Sequence, residues 1–248
     1  MKERLDTIVV RKGWASTREE AAHLIGSGRI RVNAIVRTDP TIRSEYDRVE
    51  CEREEKKSRF VGRGGLKLEG ALDFFLLSPV GQRIVDLGAA TGGFTDCLLR
   101  RGAISVHAVD VGRGLIDSSL RTDPRVVVVE SANVRFSGSW MPSDPVDGVV
   151  ADLSFISLRQ ILPQVANLLR GGGWFLGLVK PQFEAAPEQV EKGGVVRDPE
   201  VRRALLRRFI SDLSLEGGIP RGLCPSGVKG RKKGNQEYFC LAWWKGRS

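Results

Sequence analysis

The stretch that most constrains this chain is Asp86-Leu-Gly-Ala-Ala-Thr-Gly-Gly-Phe94, an apolar β-prone run that breaks into glycines and reopens as a helix. Such a strand–turn–helix unit belongs to parallel sheets, whose neighbouring strands need a crossover connection. The same alternation continues from residue 60 onward. Strand candidates are Arg83–Leu87, Val106–Asp110, Val126–Glu130, Val146–Leu153, Trp174–Val179, Ile219–Pro225 and Glu237–Trp244. Helical spacing fills the gaps at Gly64–Leu77, at Ser157–Leu169, and in a run opened by Asp198-Pro199 that places Val201, Leu205, Leu206, Ile210 and Leu213 on one face. The pattern predicts an α/β, Rossmann-like sheet.

The turn also constrains its ligand. Glycines let a backbone approach a small molecule closely, and the helix start offers free amides. A dinucleotide would want G-x-G-x-x-G to cradle its pyrophosphate, whereas this stretch reads G-A-A-T-G-G after an acid, Asp86. A cationic, phosphate-free ligand fits better, and S-adenosylmethionine carries both an amine and a sulfonium. Gly88, Ala89, Thr91, Gly92, Gly93 and Phe94 then form the cradle. Asp110, followed by Val111, closes the next strand where a carboxylate can accept both ribose hydroxyls, and Asn133 is placed for the adenine edge. Seven strands whose last pair is joined by a loop suit the methyltransferase version of this sheet, in which the final strand runs antiparallel.

Four polar residues stand around that turn. Asp152 ends one strand, Lys180 ends the next before a proline, Glu237 begins the last strand, and Lys67 lies in the lead-in helix. A single strand-end lysine is ordinarily an exposed terminus, but the carboxyl edge is where open α/β sheets bind ligands. A ribose hydroxyl is a poor nucleophile until its proton is removed or held. Lys180 is assigned as base or hydroxyl-orienting group, Lys67 as the neighbouring cation that stabilises developing oxyanion character, and Asp152 and Glu237 as the groups that fix both amines. Contexts of the Asp-Pro-Pro-Tyr kind that favour nucleobase N-methylation are absent. With four scattered cysteines and two histidines there is no metal constellation, so no metal is expected.

The first fifty or so residues read differently. Leu5, Ile8 and Val9 are helically spaced, and Ser16-Thr-Arg-Glu19 has the S-x-x-E form of a capping box before a second helix ending at Gly26-Ser-Gly28. Short β-prone pieces follow at Arg29–Val32, Ala34–Val36 and Arg48–Cys51. The expected division is a small α+β domain over 1–55, a linker over 56–62 and the large domain over 63–248.

The formal charge is +9, and it collects at the ends. Residues 221–248 carry seven Lys or Arg against the single acid Glu237, densest in Lys229-Gly-Arg-Lys-Lys-Gly-Asn235, whereas residues 60–199 carry 14 basic against 15 acidic side chains. Two basic ends on a neutral body suggest a polyanion held at two places, although solvated charge alone gives the same count. The N-terminus lacks the apolar core of a signal peptide, and no apolar run approaches the roughly 18 residues of a membrane span. A cytoplasmic protein without stable membrane association is expected.

Arg4-Leu-Asp6, Gly13-Trp-Ala, Ser16-Thr-Arg-Glu19, Leu24-Ile-Gly-Ser-Gly-Arg29 and Val32-Asn33 resemble the small RNA-binding domain named after ribosomal protein S-four. Ala34 departs from that pattern, which has glycine there. The resemblance implies that Arg4, Arg18, Arg29 and Arg31 meet RNA phosphates, with Arg11 and Lys12 beside them. The tetrad resembles that of FtsJ-type ribose methyltransferases. Val61-Gly-Arg-Gly-Gly-Leu-Lys67, Lys180-Pro-Gln-Phe-Glu184 and Gly193-Gly-Val-Val-Arg-Asp198 narrow the resemblance to the TlyA family, some of whose members carry the name haemolysin. It implies cytidine 2′-O-methylation of ribosomal RNA, with the ribosomal subunit as partner. Arg63, Arg231, Lys232 and Lys233 become further RNA contacts. The short ends resemble members that modify large-subunit RNA. The competing expectations are an RNA-binding assembly factor that keeps a methyltransferase scaffold, a membrane-active protein, and a small-molecule or protein methyltransferase.

Overall fold

The computed structural model describes residues 3–44, 48–51, 59–191, 193–227 and 235–245. The chain divides into two compact units, Met1–Lys57 and Ser58–Ser248, a division that falls inside the expected linker.

In the first unit, β1 (Glu3–Arg4), α1 (Leu5–Arg11), α2 (Arg18–Gly26), β2 (Ile30–Val32), β3 (Ile35–Arg37), β4 (Arg43–Ser44) and β5 (Val49–Cys51) follow in order. The sheet order is β3-β2-β5, and both pairings are antiparallel. Leu5, Ile8, Val9, Ala21, Ile25, Ile30, Val32 and Val49 form its core. The β1–β4 pair is a structural addition, since two-residue strands leave no periodic signal. The helix cap is also one residue later than its expected place. Thr17 is the cap, its hydroxyl accepting from the Glu20 amide at 3.1 Å, and Glu20 reaches back to the Ser16 amide at 2.8 Å. Thr17 and Glu20 repeat the spacing of Ser16 and Glu19, so the sequence held two overlapping boxes. Asn33 and Ala34 form the two-residue turn between β2 and β3, both with positive φ, 53° and 66°.

The second unit runs α3 (Gly64–Phe74), β6 (Arg83–Leu87), α4 (Gly93–Arg100), β7 (Ser105–Val109), α5 (Ser118–Arg121), β8 (Val126–Val129), β9 (Val146–Ala151), α6 (Leu162–Leu168), β10 (Leu169–Val179), α7 (Pro181–Glu184), α8 (Pro199–Leu215), β11 (Gly218–Pro225) and β12 (Tyr238–Trp244). The seven strands lie in the order β8-β7-β6-β9-β10-β12-β11. Only β12 reverses, antiparallel to β10 and to β11. Both faces are covered, which explains the near-continuous apolar strands. In β10 the alternation sends Trp174, Leu176 and Leu178 to one core with Leu68, Leu72, Leu98 and Phe239. Phe175 and Val179 go to the other with Phe209, Leu213 and Val149.

Two elements depart from expectation. The helix expected over Ser157–Leu169 is a short 3₁₀ turn, Leu158–Ile161, followed by α6, with Pro163 in the first turn of the α-helix. Strand β10 starts at Leu169, before its expected beginning at Trp174, and the register shifts between those residues through Gly171, Gly172 and Gly173. Glycines there hid the strand, because they carry no pattern.

Candidate active site

Topology alone brings three elements to one edge. Strands β9 and β10 end there, and β12, running the other way, begins there. Asp152 follows β9, Lys180 follows β10, and Glu237 precedes β12, while Lys67 lies in the first turns of α3. All four line one cavity of about 790 Å³.

Within it the charges are paired. Lys67 Nζ donates to Glu237 Oε2 at 2.6 Å, with the two side chains only 12% and 6% exposed. Lys180 Nζ lies 2.6 Å from Asp152 Oδ1, and it donates to Ser154 Oγ at 3.0 Å. The Phe183 ring lies beneath this amine, 5.8 Å from Nζ to its centroid. Each buried ammonium therefore has its carboxylate, and removing either member would strand a charge away from water.

The glycine turn forms the adjoining wall. Gly88, Ala89, Thr91, Gly93 and Phe94 line the cavity, with Ala90 among them. Gly88 has φ 85°, and a Cβ there would fall 2.7 Å from the Asp152 carbonyl oxygen, so only glycine lets the turn pass under the loop after β9. Gly92 supports the turn from behind the cavity. Its φ is 91°, and an added Cβ would meet Leu120 Cδ1 at 2.2 Å.

The remaining expected cofactor residues stand outside the cavity lining. Asp86 lies beneath the turn, fully buried, with Oδ2 accepting from the Thr95 hydroxyl at 2.7 Å. Its Oδ1 has no hydrogen-bond partner among the described residues, and burial pushes its pKa up to about 7. Asp86, expected as the acid beside the turn that favours a cationic ligand, thus lies beneath the turn and out of solvent. Asp110 accepts from the Ala90 amide at 2.8 Å and the Gly112 amide at 2.7 Å, tying the turn to the end of β7. Val111 and Asn133 are exposed past β7 and β8, and Asn133 Oδ1 accepts from the Arg135 backbone amide at 3.1 Å.

Of the expected RNA contacts, Arg63 is exposed and lines the cavity. Arg4 and Arg18 converge on the buried Asp6, which also accepts from the Thr7 amide. The two guanidiniums, Arg4 foremost, hold that carboxyl far below the usual range. Both arginines keep much of their surface in solvent, at 37% and 58% exposure. Arg29 and Arg31 are half-buried. Arg231, Lys232 and Lys233 lie outside the described residues. Among the described residues no group of three His, Cys, Asp or Glu could hold a metal ion, and no helix is long and apolar enough to cross a membrane.

Sequence reasoning passed over Ser154, Phe155, Gln182, Phe183 and Asn235, which also line the cavity. Their signal was position alone, each within three residues of a strand-end charge. Asn235 is buried, its carbonyl accepting from the Val196 amide at 3.1 Å and its amide donating to the Gly194 carbonyl at 2.7 Å.

Comparison with known proteins fits this geometry. The FtsJ-like methyltransferase family matches residues 60–243, and an S4 domain matches residues 3–42. The chain belongs to the FtsJ-like methyltransferase family. Among its methyltransferase relatives is the 16S/23S rRNA (cytidine-2′-O)-methyltransferase TlyA of Mycobacterium tuberculosis, 40% identical over 96% of this chain and 88% of that protein. Hemolysin A of Brachyspira hyodysenteriae is 38% identical over 95% of this chain and 98% of its own length. Among solved structures, one described as a hemolysin from Streptococcus thermophilus superposes with a TM-score of 0.74 at 34% identity, covering 99% of this chain and 90% of that one.

Proposed function

We propose that this FtsJ-like methyltransferase transfers a methyl group from S-adenosylmethionine to the 2′-hydroxyl of a cytidine in ribosomal RNA. The observation that carries the reading is the convergence of Lys67, Asp152, Lys180 and Glu237 on one cavity beside the glycine turn. The cofactor supplies an electrophilic methyl group on a sulfonium. Gly88 and Gly93 give the close backbone approach it needs, Gly92 supports the turn from behind, and the buried Asp86 carboxyl braces it from below through Thr95.

In this reading Lys180 first yields one proton to solvent; its neutral amine then holds the 2′-hydroxyl and takes the hydroxyl proton as the oxygen bonds to the methyl group, returning to the ammonium form. Asp152 and Ser154 fix the amine's direction, so the hydroxyl meets the methyl group at attack distance. Lys67, held by Glu237, offsets developing negative charge at the same oxygen. Arg4, Arg18, Arg29 and Arg31 of the S4 domain, with Arg63, Arg231, Lys232 and Lys233, contact RNA phosphates, which positions the substrate without reading its sequence. A cytoplasmic site of action follows from a ribosomal substrate.

Relatives differ in the subunit they are named for. The Mycobacterium tuberculosis protein carries both rRNAs in its name, whereas the one from Campylobacter jejuni, 30% identical over 73% of this chain, carries 23S alone. The test is therefore methyl incorporation from labelled S-adenosylmethionine into each purified ribosomal subunit and into naked rRNA, followed by nucleoside analysis. We expect 2′-O-methylcytidine, with the large subunit as the preferred acceptor. Label in a base-methylated nucleoside, or in no RNA at all, would overturn the proposal.

A further inference from the structure

Two loops leave the catalytic edge side by side, Asp152–Ser157 after β9 and Lys180–Glu184 after β10, and they are joined twice. The first join is the approach of Lys180 to Asp152 and Ser154. The second lies deeper. Glu184 Oε2 accepts from the Ser157 hydroxyl at 2.5 Å, and Oε1 accepts from the Leu158 amide at 2.8 Å. Glu184 is only 7% exposed, and its burial raises its pKa against the pull of those two hydrogen bonds.

Between the two joins stands Phe155, with φ 72°. A bulky L-residue occupies that left-handed region only under constraint, at a cost of roughly 1–3 kcal/mol. Its ring is 88% exposed and meets the Phe183 ring at 5.6 Å, so burial of its own side chain does not hold the loop. Leu153 and Ile156 pack into the second core and the Asp152 amide donates to the Leu87 carbonyl at 3.0 Å, while two polar joins close the loop at its ends. One is the Lys180 cluster, and the other is the Glu184 bridge at the start of the 3₁₀ turn.

We propose that Glu184 is a positioning residue for methyl transfer: by gripping Ser157 and Leu158 it keeps the strained Asp152–Ser157 loop where Asp152 and Ser154 can meet Lys180. The proposal rests on the functional reading above and adds a residue that touches neither the cavity nor a substrate. Releasing the bridge lets the stretch after the anchored Asp152 and Leu153 relax toward ordinary backbone angles, carrying Ser154 off the amine and loosening the Asp152 side chain's aim. A displacement of about 1 Å at such a site costs on the order of 100-fold in rate.

The test compares Glu184→Ala, Glu184→Gln and wild type in the full chain, by kcat and KM for RNA, S-adenosylmethionine affinity, and hydrogen exchange of the Leu158 amide and the 152–157 loop. Glu184→Ala should lose about 100-fold in kcat while cofactor affinity stays within about twofold. Glutamine can still accept from Leu158 and turn its amide toward Ser157 Oγ, so Glu184→Gln should recover at least about tenfold of that loss. Leu158 exchange should rise in the alanine variant and stay near wild type in the glutamine variant. If Glu184→Ala does not fold, Ser157→Ala replaces it, with a smaller kcat loss and the same unchanged cofactor affinity expected. Equal losses in the alanine and glutamine variants, a defect confined to KM, or unchanged Leu158 exchange would overturn the proposal. A wild-type enzyme inactive on every RNA strikes the functional reading instead, and the exchange comparison then decides the positioning claim by itself.

Discussion

Ala34 occupies the second position of the turn between β2 and β3 at φ 66°, where an L-residue other than glycine is strained. Ala34→Gly should therefore stabilise the small unit by about 0.5–1 kcal/mol, the relief of that strain less the freedom glycine gains when unfolded. Chemical denaturation monitored in that unit checks it, and a destabilised variant would show the turn to be otherwise. Asp6, 3% exposed beneath Arg4 and Arg18, makes the opposite case. Asp6→Ala removes the acceptor of two half-exposed guanidiniums and of the Thr7 amide, and should cost about 1–2 kcal/mol because the guanidiniums keep their water. Because its folded pKa is depressed, the wild-type contribution is present above the ordinary value of 3.8 and is lost as the pH falls below it. Asp86 has the reverse sign. Its pKa is raised to about 7, so between the ordinary 3.8 and that value the folded state binds the extra proton. Stability from this group is full below the unfolded value and declines as the pH rises toward 7, by at most about 1.4 kcal/mol per pH unit. Urea unfolding of wild type and Asp86→Asn between pH 4 and 8 should show a steeper decline in wild type, Glu184 contributing equally to both, and parallel curves would contradict it.

At the level of elements, the glycine turn and the reversed last strand make the site. Gly92→Ala should press Leu120 and Ile116 away from α4 and weaken S-adenosylmethionine binding by at least about tenfold, measurable by calorimetry. Unchanged affinity would mean that the turn tolerates a Cβ. These same elements explain what was legible. Strand β6 matches its expected span because apolar residues alternate between two covered faces and a glycine stops them. The end of β10 was equally plain, since Lys180-Pro181 punctuates an apolar run. The start of β10 was not, because three glycines carry no side-chain signal. Neither was the burial of Asp86, since an acid beside a glycine turn reads the same in sequence whether it faces a ligand or the core. Glu184 appeared only as part of a motif; its partners Ser157 and Leu158 lie 27 and 26 residues away, a pairing that only the parallel crossover reveals.

Across the whole molecule, the proposed function divides two tasks between the near-neutral middle, which would carry the chemistry, and the basic ends, which would grip a polyanion. Replacing Arg231, Lys232 and Lys233 with glutamine should weaken RNA binding and make its salt dependence shallower, since each lost phosphate contact removes roughly 0.7–0.9 from the log–log slope. Filter binding across a salt series tests this, and an unchanged slope would assign those charges to solvent. The central claim, that the four converging residues perform ribose methylation, is tested most directly by nucleoside mass spectrometry on ribosomal RNA treated with wild type or Lys180→Ala. The account predicts 2′-O-methylcytidine with wild type and its loss with Lys180→Ala, while S-adenosylmethionine still binds the variant. Undiminished 2′-O-methylcytidine from Lys180→Ala would contradict it.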